Sequence, residues 1–122
     1  MADQTEPRKL LGRNAEKLAE KLLRKKGHRL RARNYSCKYG EIDLITQHKD
    51  TIVFVEVRSQ SSSKLGMPWD NLKRAKKEKV KRTAKNYLYK YRLSKKPVRF
   101  DFVQMIIDGE NPPEIEHIEN AF

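Results

Sequence analysis

The apolar positions of this chain follow two periods. Between Leu10 and Lys26, Leu11, Ala15, Leu18, Ala19, Leu22 and Leu23 recur at steps of three and four. Those steps set them on one face of a helix, and Gly27 stands where such a helix would stop. At about 100° per residue, Glu16 falls at the edge of that face, near Leu23. Past Gly27 the period shortens to two. His28 to Asn34 reads as a short strand, followed by a polar loop containing Cys37 and Lys38. Glu41 to Thr46 alternates as a strand does, Gln47 to Asp50 supplies a turn, and Thr51 to Arg58 is the most β-prone run of the chain.

Ser59 to Gly66 is a loop by composition and too short for a domain linker. Beyond Pro68, Leu72, Ala75, Val80, Ala84, Tyr87, Leu88 and Tyr91 mark one face of a long helix whose remaining surface is lysine and arginine. Pro97 ends that pattern. Val98 to Ile107 is a further strand, and after the Asn111-Pro112-Pro113 turn Glu114 to Ile118 forms a short last one. The order α-β-β-β-α-β-(β) predicts an α/β fold, one mixed central sheet flanked by helices. A leading helix and an early antiparallel hairpin argue against a Rossmann domain. There is no internal repeat and no glycine-rich phosphate loop.

Composition narrows the class. The 122 residues fit a single domain, 1–122, of which the first eight are expected to be flexible. With 37% hydrophobic and 36% charged residues, the core can hold little more than a sheet and the helices against it. No apolar run approaches the roughly 20 residues of a membrane span, and the first residues lack the basic-then-apolar pattern of a secretory signal. Cys37 is the only cysteine, which excludes an internal disulfide and disfavours a cysteine zinc site. These absences make a cytoplasmic protein the expectation.

Charge adds a partner. The net charge is +12, and it is unevenly placed. Arg8 to Arg33 holds 11 basic and 2 acidic residues, and Asn71 to Lys96 holds 12 basic and only Glu78 as acid. The last 15 residues hold 5 acids and neither Lys nor Arg. Two dense basic stretches on one small domain suggest a polyanion. Nucleic acid fits better than a membrane surface, because neither stretch carries the broad aromatic and aliphatic face of an interfacial helix.

Candidate chemistry lies on the central hairpin. On Thr51–Arg58, Val53, Val55 and Val57 share one face, while Ile52, Phe54, Glu56 and Arg58 share the other. With a four-residue turn, Thr46 lies opposite Thr51, and Glu41, Asp43 and Glu56 occupy one side. A one-residue slip would move Asp43 to the opposite side. Crowded carboxylates repel unless a proton or cation offsets them. Hard oxygen donors suit Mg²⁺ or Mn²⁺, which can activate water against a phosphodiester. The spacing alone equally allows surface strands with Glu56 and Arg58 in a solvent-side ion pair. Other residues offer less. His28, His48 and His117 are scattered and read as surface or half-buried residues, and the serines near Ser59 lack a His-Asp pair. Asp101 reads as an edge polar residue rather than a buried acid. Trp69 could stack a base, whereas Tyr87 and Tyr91 follow the core spacing.

Gly40-Glu41-Ile42-Asp43-Leu44-Ile45 with Val53-Phe54-Val55-Glu56-Val57-Arg58 closely resembles the hallmark of the bacterial YraN-type family. The likeness begins at Gly12-Arg13-Asn14-Ala15-Glu16, includes Arg99-Phe100-Asp101-Phe102 and ends in His117-Ile118-Glu119-Asn120-Ala121-Phe122. That family looks like archaeal Holliday junction resolvases and the restriction-endonuclease-like nucleases. The resemblance implies a restriction-endonuclease-like core and a Mg²⁺- or Mn²⁺-dependent endonuclease acting on DNA, with branched DNA as substrate and a homodimer to match a twofold junction. It implies Glu16 as the acid of the first helix, Asp43 and Glu56 as metal ligands, and Arg58 where the superfamily usually has lysine. Glu41 is a candidate further ligand. Arginine does not readily lose a proton and is a poor general base, so a lysine of the long helix, Lys76 or Lys77, is the expected substitute. Arg58 also leaves open a non-catalytic nucleic-acid-binding module on the same fold. A third reading is a protein-interaction domain whose charge serves solubility.

Overall fold

The computed structural model describes residues 7–61, 74–107 and 111–122, with side chains described from Asn14 onward in the first segment. Its elements are α1 (Pro7–Lys25), β1 (His28–Cys37), β2 (Gly40–His48), β3 (Thr51–Gln60), α2 (Arg74–Lys90), β4 (Val98–Ile106) and β5 (Glu114–Ile118). They form a mixed α/β fold in which five strands make one sheet in the order β1-β2-β3-β4-β5. Only β3 and β4 are parallel, and α2 lies in the connection between them, as a parallel pair requires. Helix α1 begins at Pro7, three residues before the expected start. Proline is well suited to a first helical turn, where its missing N–H is no loss. Residues 1–6 and Trp69 lie outside the described residues, as does most of the serine-rich loop.

The two helices cover opposite faces of the sheet. Ala15, Ala19 and Leu23 of α1 pack on Leu44, Val53, Val55, Val57, Val103 and Met105. Val80, Ala84, Tyr87 and Leu88 of α2 pack on Ile42, Ile45, Ile52 and Phe54. β3 is therefore buried on both sides, which is why its sequence is nearly continuous in apolar residues. Tyr87 is core, as its spacing predicts, while Tyr91 is 47% exposed.

The β2–β3 hairpin corrects one expectation. Its turn has two residues, Lys49 and Asp50, and His48 rather than Thr46 faces Thr51. Lys49 adopts φ +57°, a left-handed conformation that closes so short a loop. The shift moves each partner by two positions, so the faces of β3 are those expected although the pairs differ.

A second departure is a paired kink. Arg33 reaches α1, donating to Glu20, whereas Tyr35 donates to Asn86 on α2. Between them Asn34 has φ +49°, and asparagine is among the few residues that tolerate that region. Their partners on β2 behave alike, since Leu44 lies in the α1 core and Ile42 in the α2 core. Residues two apart thus face opposite ways, and strict alternation fails at Asp43.

Phe54 is fully buried, with Phe100 stacked at 5.5 Å and Tyr87 edge-on at 6.0 Å between ring centroids. Phe54→Ala should lower the unfolding free energy by about 3–5 kcal/mol, measured by urea denaturation with an unchanged slope. A loss below about 1 kcal/mol would contradict this packing.

Candidate functional site

The last β2–β3 pair is Leu44 with Val55. Beyond it the strands part, and the Val57 N–H donates to Asp43 Oδ2 at 2.8 Å. A side-chain carboxylate thus stands where a backbone carbonyl would continue the ladder. A buried N–H left without an acceptor is costly, so Asp43 both terminates the pairing and is held by it.

Glu56 lies next to this bond, with 1% of its surface exposed. β3 turns it toward α2, where Arg58 Nη2 lies 3.9 Å and Lys76 Nζ 4.0 Å from Oε2. Oε1 is buried with no hydrogen-bond partner. Burial, and then the charge of Asp43, push the Glu56 carboxyl up to about 8, although Lys76 and Arg58 pull the other way. Two carboxyls in contact, one buried and one half-buried, cannot both carry charge cheaply. A proton between them is one solution, and a cation is the other.

The remaining predicted residues are placed unequally. Glu16 is half-buried on α1; burial and the charges of Asp43 and Glu41 raise its carboxyl, opposed by a hydrogen bond with Asn34. It therefore approaches Asp43 from the sheet face opposite Glu56. Glu41 does not join Glu56. It is exposed, and the kink gives Ile42 the place on the α2 face that strict alternation would have given Glu41. Lys76 reaches the site, whereas Lys77 is half-buried and forms no ion pair with Glu56. Among the described residues no three acidic, histidine or cysteine side chains form a ready-made ligand group. The oxygens of Asp43 and Glu56 nevertheless suit a small, hard divalent ion, which binds through one or two carboxylates and completes its shell with water or phosphate. The unpartnered Glu56 Oε1 is the observation that favours such a fit.

A second polar cluster was not apparent from the sequence. Asp101 is fully buried on β4, not at an edge. Arg99 grips it twice at 2.9 Å, His117 Nε2 bonds it at 2.6 Å, and the Asn120 N–H donates at 3.2 Å. Burial alone would raise its carboxyl, but the bonds from His117, Arg99 and the Asn120 backbone hold it below its ordinary value. His28 stacks on His48 with ring centroids 4.5 Å apart and meets His117 edge-on. The three histidines are therefore gathered; His48 and His117 are half-buried as residues, while His28 is buried, more deeply than the surface or half-buried reading has it. Burial, then the neighbouring His48 and His117, lowers His28 to about 4. These residues come from β1, β2, β4 and β5 and meet only when the whole sheet is assembled, so spacing along the chain carried no signal for them.

The Glu56 shift has a definite sign. Its unfolded value near 4.5 lies below its folded value near 8, so its contribution to stability is full below the former. That contribution falls as pH rises through the interval and is flat above about 8. For metal-free protein, the difference in melting temperature between wild type and Glu56→Gln should therefore move against wild type from pH 4.5 to 8. A difference independent of pH across that window would contradict a buried, proton-retaining Glu56.

Among the described residues no helix is long and apolar enough to cross a membrane. Residues 15–105, which include Glu16, Asp43, Glu56, Arg58 and Lys76, match the family described as "Uncharacterised protein family UPF0102". A UPF0102 protein of Pelotomaculum thermopropionicum is 38% identical over 116 residues, covering 94% of this chain and 97% of its own. One from Clostridium acetobutylicum is 40% identical over 115 residues, covering 93% and 94%. One from Nitrosomonas europaea is 42% identical over 111 residues, covering 91% and 92%. With three quarters of the chain inside the family match and such relatives aligned nearly end to end, this chain belongs to the UPF0102 family, the YraN type.

Proposed function

We propose that this protein is a metal-dependent endonuclease of restriction-endonuclease-like fold that binds DNA and hydrolyses its phosphodiesters. The observation that carries the reading is the joint placement of Asp43 and Glu56 where β2 and β3 part. One carboxylate is held by the Val57 N–H, and the other is buried with an unpartnered oxygen. Asp43 and Glu56 would hold Mg²⁺ or Mn²⁺, with Glu16 positioned behind Asp43. When bound, such an ion supplies Lewis acidity and a more acidic water.

The chain's own residues do the rest. Arg58 is 41% exposed in its side chain, so its guanidinium can face a phosphate while remaining beside Glu56. Two N–H donors in a fixed fork suit the developing charge on phosphoryl oxygens. Lys76 arrives from α2 at the same carboxylate and brings the amine that Arg58 cannot supply for proton transfer. The basic surfaces of α1 and α2 attract the polyanion, so affinity should fall steeply with salt. Branched DNA and a homodimer belong to this reading as its expected substrate and assembly, and the cytoplasm as its setting.

One observation favours a second reading. Arg58 and Lys76 already place two positive charges near Glu56, which offsets its charge without a metal. On that reading the protein is a DNA-binding module with no hydrolytic step.

Labelled linear, flapped and four-way-junction DNA, incubated with Mg²⁺, Mn²⁺ or EDTA, distinguishes the two. Wild type is expected to cut in an EDTA-sensitive manner. Asp43→Asn and Glu56→Gln should each lower the rate on the order of a hundredfold or more, while DNA affinity stays within a few-fold. Salt-sensitive binding with no cleavage of any substrate would establish the second reading. Undiminished cleavage by both variants would remove Asp43 and Glu56 from the chemistry.

A further inference from the structure

Along α2, Arg82, Lys85, Asn86 and Tyr89 recur at i, i+3, i+4 and i+7, so they form a single stripe. It runs beside the buried stripe of Val80, Thr83, Ala84, Tyr87 and Leu88. With Tyr39 from the β1–β2 turn, the four residues line an open groove of about 570 Å³. The turn is pinned there, because Gly40 lies so close to α2 that a Cβ would stand 3.3 Å from Thr83 Oγ1. Tyr89 is 83% exposed and Tyr39 is 39% exposed. A single exposed ring needs no explanation, but two rings flanking two cations in one groove form a patterned surface.

Its charges are uncommitted. Neither Arg82 nor Lys85 takes part in a salt bridge among the described residues. Lys38 Nζ sits over the Tyr39 ring at 5.2 Å, so a cation and an aromatic face are offered at one point. Asn86 Oδ1 accepts the Tyr35 hydroxyl, which fixes the orientation of the amide. The groove beside α1 makes a useful contrast. It is lined by Lys17, Lys21, Arg24, Lys25 and Arg33, with Glu20 among them, and has no aromatic ring. Phosphates alone require only that second kind of surface; rings are needed where bases are unstacked.

We propose that the α2 groove is a stacking platform for the unpaired bases of single-stranded DNA. Tyr89 and Tyr39 take bases on their faces, and Arg82, Lys85 and Lys38 hold the adjoining phosphates. The inference rests on the DNA reading above and adds the state of the strand. Arg82 and Tyr89 lie 6 and 13 residues beyond Lys76 on the same helix, about 9 and 20 Å along its axis. At roughly 3.4 Å per stacked nucleotide, the platform would engage bases about three to six nucleotides from the phosphate at Asp43 and Glu56.

The test is fluorescence anisotropy of labelled dT12 and of a 20-base-pair duplex at low salt, without metal. Wild type, Tyr89→Ala, the double variant Tyr39→Ala/Tyr89→Ala, and Tyr89→Phe are compared. Tyr89→Ala should weaken dT12 binding about tenfold, as loss of one stacked base does, and the double variant should weaken it further. Tyr89→Phe, which keeps the ring, should bind like wild type, and duplex affinity should stay within twofold throughout. Unchanged dT12 binding by both alanine variants, or an equal loss on duplex, would overturn the platform while leaving the DNA reading intact. Wild type that binds neither DNA would overturn both.

Discussion

Where β2 leaves β3 after Leu44 and Val55, the Val57 N–H needs an acceptor, and the Asp43 carboxylate provides it. Much of the candidate site follows from that bond. It fixes Asp43 in the plane of the sheet, between the two helix-covered faces. From that position one carboxylate can be approached by Glu16 on the α1 side and by Glu56 on the α2 side. An acid placed on either face would meet only one of them. The bond also makes the parting of the strands tolerable, since no buried N–H is left open there. The opening is thus as much a consequence of Asp43 as a setting for it.

The kink in β1 and β2 complements this arrangement. If alternation had continued, Glu41 would have joined Glu56 and Ile42 would have lain on the α1 side. The left-handed Asn34 instead sends Ile42 into the α2 core and leaves Glu41 in water. A third acid beside Glu56 would have added repulsion at a carboxyl that burial and Asp43 already raise to about 8. The fold therefore sets one buried acid, Glu56, beside half-buried Asp43 and supplies two cations from Arg58 and Lys76. Such a site has a proton or cation to gain and little tolerance for remaining doubly charged.

Much of this was legible in the sequence, and the reasons are local. The near-continuous apolar run of β3 and the three–four spacing of α1 and α2 reflect a strand buried on both sides between two amphipathic helices. Asp43 and Glu56 were visible as acids among apolar residues on adjacent strands. What escaped depended on single backbone torsions or on distant pairing. One left-handed lysine shortened the hairpin turn, and one left-handed asparagine reversed the side-chain direction. Asp101, Arg99, His117 and His28 come from three strands and meet only once the sheet is assembled. No spacing rule along the chain could have joined them.

That polar cluster also accounts for the lopsided charge. Two of the described acids of the C-terminal segment pair with groups of β4. Glu119 pairs with Arg99, and Glu116 accepts from Gln104. Neither pairs with a lysine or arginine of α2 among the described residues, and Asn71 to Lys96 holds 12 basic residues against one acid, Glu78. Arg99 lies between buried Asp101 and exposed Glu119, so its positive charge is neutralised within this cluster. Segregation of this kind weakens internal neutralisation and leaves a strong positive field over the helices. A field of one sign attracts a polyanion from a distance and raises its encounter rate. Glu116 and Glu119 thus serve the sheet, and the charge left on the basic helices is what the proposed DNA reading draws on.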